Sequence, residues 1–334
     1  MAATPSMRSV VDRFAGRTII VVGDLIVDEY LIGKPGRISR EAPVIILRFT
    51  DRDVRLGGAA NATHNVMALG ARVLPVGVVG RDQAGDELLG LLRAAGIPTD
   101  GVVVEPGRIT PMKTRIMAGG YQATRQQVVR IDREPAGEPA PTTEDALLAR
   151  LSSLARQADA IVVSDYGYGT VTSRVFEQVR ALAHARNTIV SVDSRYDLLR
   201  FTGVTAATPN EAELAELTGQ LVDDERAVDK AGRQVLERLK TAMLLVTRGS
   251  QGLALLERDG ASTFIPIFGT DEIADVTGAG DTVISTFTLA LAAGGSPVEA
   301  ATLANIAGGL VVMKRGTATV SRAELSQALT DGAP

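Results

Sequence analysis

The segment Asp275-Val276-Thr277-Gly278-Ala279-Gly280-Asp281 runs directly into an apolar stretch, 282–291, patterned as a buried helix. Gly278 and Gly280 carry no side chain, so main-chain N–H groups can close around an anion. A helix start adds unpaired donors and the positive end of a dipole at the same point. Asp281 then stands where a plain anion-binding loop would avoid a carboxylate. Phosphoryl transfer needs this combination: the amides of residues 278–281, including Ala279, to hold the transferring phosphate, and a base for the proton of an attacking hydroxyl. Taken alone, two glycines and an Asp near a helix start also describe an ordinary turn, so the elements around them decide.

Short apolar runs at 18–23, 73–79, 160–163, 188–192 and 242–246 read as strands, and 60–69, 82–95, 173–185, 211–217 and 225–239 as helices. Strands apolar on both faces, alternating with helices, predict an α/β fold: a mainly parallel sheet covered on each side in three α/β/α layers. In such sheets ligands bind beyond the carboxyl ends of the strands, where Asp24, Asp165, Asp193 and Arg248 all fall. Two segments break the pattern, 31–49 and 110–133. In the second, Met112, Thr114 and Ile116 alternate with Lys113, Arg115 and Met117. They predict a small inserted β-sheet, leaving 1–30, 50–109 and 134–334 as the main domain and 137–143 as the return linker. A small sheet with an apolar face needs cover; it is expected to lie over substrate as a lid, to pair with a second copy in a homodimer, or both.

Composition removes several function classes. The 334 residues carry a net charge of −4 without a long run of like charge, and aromatics are only 4%, which argues against a nucleic-acid partner. Cysteine is absent, so disulfides and thiolate chemistry are excluded. The two histidines, His64 and His184, lie far apart, which excludes Ser-His-Asp chemistry and His-based metal sites. No apolar run suits a signal peptide or a membrane span, and a cytoplasmic location is expected. Neither a Walker A sequence nor a Gly-x-Gly-x-x-Gly after a strand is present.

Residues 275–281 resemble the Asp-Thr-Thr-Gly-Ala-Gly-Asp signature of the PfkB (ribokinase-like) carbohydrate kinases, with Val276 at the second position, and the likeness extends from about residue 19 to about residue 325. It implies a ribokinase-like fold, ATP as phosphate donor and a sugar as acceptor. Gly23-Asp24-Leu25-Ile26-Val27-Asp28 looks like the family's first strand and turn, where carboxylates such as Asp24 and Asp28 accept hydrogen bonds from sugar hydroxyls. Gly57-Gly58-Ala59-Ala60-Asn61 resembles its sugar-binding motif, and Asp165 is expected beside the same substrate. Asn210 and Glu213, one helical turn apart, resemble the pair that holds Mg²⁺ near the nucleotide. Thr247-Arg248-Gly249-Ser250-Gln251-Gly252 resembles the strand-end segment beside the nucleotide, with Arg248 reaching phosphate oxygens and Asn305 near the adenine. A monovalent-cation requirement stays open.

One branch of the family matches further. Residues 36–44 and 126–132, together with Ser164-Asp165-Tyr166-Gly167-Tyr168-Gly169, resemble segments of D-glycero-β-D-manno-heptose-7-phosphate kinases. That substrate bears a phosphate, for which Arg37, Lys113, Arg115 and Arg130 are available in the inserted segments. Tyr168 stands where the branch has lysine, and Ser194-Arg195 where it has Pro-Lys. Nothing resembles the nucleotidyltransferase domain fused in some relatives, so adenylyl transfer is not expected. The alternatives are a kinase for another sugar, sugar phosphate or nucleoside, and a catalytically silent sugar- or nucleotide-binding protein.

Overall fold

Each of the five both-face-apolar runs becomes a buried strand. The structure, a computed structural model, describes residues 5–119, 126–269 and 274–331. It begins with helix α1 (Pro5–Asp12), strand β1 (Thr18–Gly23), two long strands, β2 (Leu25–Ile38) and β3 (Ile45–Gly58), and helix α2 (Ala59–Ala68). Then come β4 (Arg72–Gly80), α3 (Gln83–Ala94), β5 (Val102–Glu105), β6 (Met112–Ala118), β7 (Gln126–Arg133) and α4 (Pro141–Ala155). The chain continues through β8 (Ala160–Asp165), α5 (Ser173–Arg186), β9 (Ile189–Ser194), β10 (Ala206–Ala207), α6 (Glu211–Thr218) and α7 (Glu225–Leu239). It ends with β11 (Met243–Thr247), β12 (Leu253–Glu257), β13 (Ser262–Ile265), α8 (Ala279–Ala292), α9 (Pro297–Val312) and α10 (Arg322–Thr330).

Nine strands form one sheet in the order β13-β12-β11-β10-β9-β8-β1-β4-β5. Pairings from β11 through β5 are parallel, and β12 and β13 add antiparallel strands at one edge. The pleat sends alternate residues to opposite faces. Ile19 and Val21 join an apolar cluster with Val66, Phe287 and Ile306, while Ile20 and Val22 join a second with Leu147, Phe176 and Val235. The sheet is thus covered on both faces, as the sequence pattern predicts. Fully burying one such side chain contributes about 1.5–3 kcal/mol, so these two clusters make the sheet a stiff platform for the loops at its strand ends. Among the described residues no helix is long and apolar enough to cross a membrane.

The second sheet has the order β3-β2-β6-β7. β2 pairs with β3 and β6 with β7 antiparallel, and β2 with β6 parallel. Its strands run past the expected segment 31–49, starting at Leu25 and ending at Gly58. The sheet therefore grows directly from the carboxyl end of β1. The return connection is shorter than the expected 137–143, because α4 already begins at Pro141, where proline's fixed φ suits a first helical turn.

Candidate active site

The first turn of α8 is held open by glycine. Gly278 caps it at φ 81°, and a Cβ there would lie 2.5 Å from Asn61 Nδ2. Asp275 pins the approach: its Oδ1 accepts from the Thr277 N–H at 2.9 Å and its Oδ2 from the Gly316 N–H at 2.9 Å. The Ala279 N–H turns back to Val276 O at 3.2 Å. Helix geometry then leaves the Gly280 and Asp281 amides as the first-turn donors for an incoming group.

Asp281, the third helical residue, is 3% exposed. Its Oδ2 accepts from Asn61 Nδ2 at 2.8 Å and its Oδ1 from the Tyr166 hydroxyl at 3.1 Å. Burial pushes its pKa up, against the two hydrogen bonds and with help from the nearby Asp28 charge, to about 7.

Two cavities meet at this carboxylate. One lies beneath the small sheet and is lined by Asp28, Lys113, Arg115, Arg130, Asp132 and Arg195. The other follows the carboxyl edge of the main sheet past Asp193, Thr208, Asn210, Glu213, Thr247 and Gly249. Tyr166, Arg195, Gly278 and Asp281 line both. Beyond Gly280 and Gly249 the edge continues into an apolar pocket of Gly252, Leu253, Ile267, Val283 and Val312, with Asn305 in its wall.

Several expected site residues stand in these cavities. Asp28 is buried and accepts from Arg115 Nη1 at 2.6 Å. Gly57 makes room for it, since a Cβ would meet Asp28 Oδ2 at 2.6 Å. Gly58, at φ 53°, lines the acidic–basic cavity. Lys113 Nζ donates to the Tyr168 hydroxyl at 2.6 Å and pairs with Asp132 at 3.4 Å, and Arg130 pairs with Asp132 at 2.9 Å. Asn305 borders the apolar pocket, but its amide is committed to Pro266 O at 2.7 Å, so it shapes the wall.

Others take different positions. Asp24 was expected at the sugar; instead it is fully buried and accepts from the N–H groups of Tyr166, Tyr168 and Thr170 at 2.8, 3.1 and 3.1 Å. Its oxygens hold a loop, and it is not among the residues lining the two cavities. Asn61 faces Asp281 while Asn65 Nδ2 donates to its Oδ1 at 3.2 Å, so it orients the carboxylate. Asp165 borders the sheet-edge cavity, yet its Oδ2 accepts from Ser194 Oγ at 2.8 Å and Arg200 Nη2 at 3.2 Å. Arg248, expected at phosphate oxygens, is buried over the Phe264 ring and bonds Glu211 at 2.8 Å. That pairing satisfies the charge its burial would otherwise strand. Arg37 is exposed toward the far end of β2, outside the residues lining the cavities.

Asn210 and Glu213 reach the sheet-edge cavity but first bind one another. Asn210 Oδ1 accepts from the Glu213 N–H and Glu213 Oε2 from the Asn210 N–H, both at 2.9 Å, a capping box. Burial raises the pKa of Glu213 and pushes Asp193 well up, the latter also through the charges of Asp281 and Glu213. Carboxylates crowded this way suit a hard cation. Among the described residues no three or more His, Asp or Glu are grouped to hold one alone.

Sequence reasoning assigned no role to Tyr166, Asp132, Asp193 or Arg195, all of which line the cavities. Strand-end position marked Asp193, and Tyr166 follows β8 directly; neither signal says which way a side chain points.

The pattern of the pfkB family carbohydrate kinases matches residues 17–324. Over 307 residues the chain is 40% identical to the bifunctional protein HldE of Geobacter sulfurreducens, covering 92% of this chain and 61% of that relative's length. Arabidopsis thaliana ribokinase, solved with ribose and ATP, superposes with a TM-score of 0.73 at 20% identity, over 94% of this chain and 98% of that one. Phosphofructokinase-2 from Escherichia coli, solved with substrates and products, gives 0.75 at 18% identity, over 94% and 99%. At these identities the structural likeness is one of fold, which is ribokinase-like.

Proposed function

The chain belongs to the pfkB family of carbohydrate kinases, and from that premise we propose that it transfers the γ-phosphate of ATP to the anomeric hydroxyl of D-glycero-β-D-manno-heptose 7-phosphate, giving the 1,7-bisphosphate. The observation that carries this reading is the position of Asp281 where a cation-lined cavity meets a carboxylate-lined one. The acceptor oxygen attacks the γ-phosphorus, the bond to the β,γ-bridging oxygen breaks to release ADP, and the hydroxyl proton passes to Asp281. With a pKa of about 7, Asp281 is basic enough to take that proton, and about half of it is ionised at neutral pH. The Gly280 and Asp281 amides face the charge that builds on the phosphoryl oxygens. Asp193 and Glu213 would hold Mg²⁺, which neutralises nucleotide phosphate charge when bound.

The acceptor's phosphate belongs at the cationic end, between Lys113, Arg130 and Arg195. The apolar pocket suits the adenine. The small sheet closes over the acceptor as a lid, and a second copy of the chain covers its outer face. One observation favours an unphosphorylated acceptor instead: Lys113 and Arg130 already share Asp132, and Tyr168 fills the space beside Lys113. A panel of phosphorylated and free sugars with coupled ADP detection separates the two; turnover confined to free sugars would end the heptose phosphate reading. Asp281→Asn tests the chemistry. Its kcat is expected to fall by about 10³-fold or more with ATP still bound, and near-normal turnover would remove Asp281 as the base.

A further inference from the structure

The two oxygens of Asp281 are gripped by donors from two different elements, neither on α8. Asn61, on α2, is itself braced: Asn65 Nδ2 donates to its main-chain oxygen at 3.0 Å, and Thr282 Oγ1 donates to Asn65 Oδ1 at 2.9 Å, which closes the network back onto α8. Tyr166, in the loop after β8, is braced through its backbone, because its N–H donates to the buried Asp24 carboxylate at 2.8 Å. Asp24 holds the N–H groups of Tyr168 and Thr170 as well, so one buried carboxylate fixes the whole turn that carries the phenol.

We propose that Tyr166 is a positioning residue for the base: its hydroxyl, aimed by Asp24, donates to Oδ1 of Asp281 and, with Asn61 on Oδ2, fixes the carboxylate in the orientation and ionised form that accepts the sugar's proton. The proposal rests on Asp281 being that base.

The chemistry of the two donors suits the task. A cation bonded to Asp281 would stabilise its charge so strongly that the carboxylate became a poor base; neutral donors keep it ionised without that loss. Several charged groups line the cavities around it: Asp28 on β2, whose charge opposes its ionisation, Asp193 on β9, Glu213 on α6, Lys113 and Arg115 on β6, Arg130 and Asp132 on β7, and Arg195 after β9. Among the described residues its hydrogen bonds come from Asn61 and Tyr166 and from none of these cations. Burial together with the Asp281 and Asp193 charges pushes the Tyr166 phenol well up, so it stays protonated and remains a donor throughout the working pH range.

Tyr166→Phe keeps the ring and removes the donor. Losing a hydrogen bond to the ionised form raises the base's pKa, so the acid limb of the kcat/KM pH profile is expected to move up by about one pH unit. That gives roughly a tenfold loss at a pH one unit below the wild-type limb and much smaller loss well above it. The Asp281 carboxyl titration, followed by infrared difference spectroscopy in substrate-free protein, is expected to move the same way. An unshifted limb, whether activity is lost evenly at all pH values or not at all, would overturn the proposal, as would an unmoved carboxyl titration. Asp281→Asn, run in parallel, keeps the outcomes apart: if that variant is inactive while the Tyr166→Phe profile stays in place, the base stands and the positioning role fails.

Discussion

At the scale of single residues, Asp281 sets reactivity against stability. Its folded pKa of about 7 lies above its ordinary value of 3.8 because burial disfavours the charge. The native protein therefore holds this proton more tightly than the unfolded chain. The stability that this contributes is full below about pH 3.8 and is lost as pH rises through about 7. At pH 8 the buried carboxylate is ionised at a cost on the order of a few kcal/mol. Asp281→Asn has the same shape and no charge, and the Tyr166 hydroxyl can accept from its amide. It is therefore expected to melt above the wild type at pH 8, with the difference shrinking toward pH 5. Equal melting curves at both pH values would argue that the native carboxylate is not destabilised. Asp24, buried just as deeply, serves the opposite purpose: three amides need it. Removing it with Asp24→Ala leaves those donors unpaired in the interior, at about 1–3 kcal/mol each. The motif made Asp24 and Asp28 look alike, and only long-range contacts separate a loop clamp from a cavity wall.

At the scale of elements, the site is a helix start held at one angle by a glycine. Gly278→Ala would force a Cβ against Asn61 Nδ2, so Asn61 must shift and its bond to Asp281 weakens. The left-handed backbone adds about 1–2 kcal/mol of strain. Gly203 at φ 77° has nothing within 4 Å of the same position, so Gly203→Ala carries the strain without the clash. Both variants are expected to melt a few degrees lower, and only Gly278→Ala to lose kcat, by more than tenfold; equal kcat losses would place the fault in general destabilisation. The elements that carry the site were legible where pattern and caps agree. The helix expected at 225–239 forms over those residues, with Asp224 as its cap, and the both-face-apolar strands gave the sheet. Other elements went unread: α4, although Pro141 marks its start, and the antiparallel edge strands β12 and β13. β10, only two residues long, exists through its neighbours alone. Arg248 shows the limit for side chains: its strand-end position was correct, and packing on Phe264 turned it from the cleft.

At the scale of the whole molecule, the register of the small sheet sorts its side chains into two different faces. Asp28 lies opposite Lys113, and Lys113 opposite Asp132; Arg115 lies opposite Arg130. That face meets the acceptor cavity. On the other face Glu29 accepts from Arg52 and Thr114, and around this ion pair Leu31 pairs with Ile116, Ile116 with Val129, Thr114 with Ile131, and Phe49 lies opposite Gly33. Phe49, Val129 and Ile131 there are 68%, 46% and 48% exposed, too much apolar area for a sheet meant to face water on that side. A small sheet whose inner face is ionic and whose outer face exposes Phe49, Val129 and Ile131 beside one ion pair is expected to be held in place by a second copy of itself. Light scattering should then give twice the chain mass, and Phe49→Glu combined with Ile131→Glu should give single chains. Because neither residue lines the cavity, the double variant should keep Asp281 chemistry but lose lid order, raising the acceptor KM several-fold more than it lowers kcat. A wild-type protein that scatters as a single chain at micromolar concentration would sink this account, and the exposed face would then need another cover.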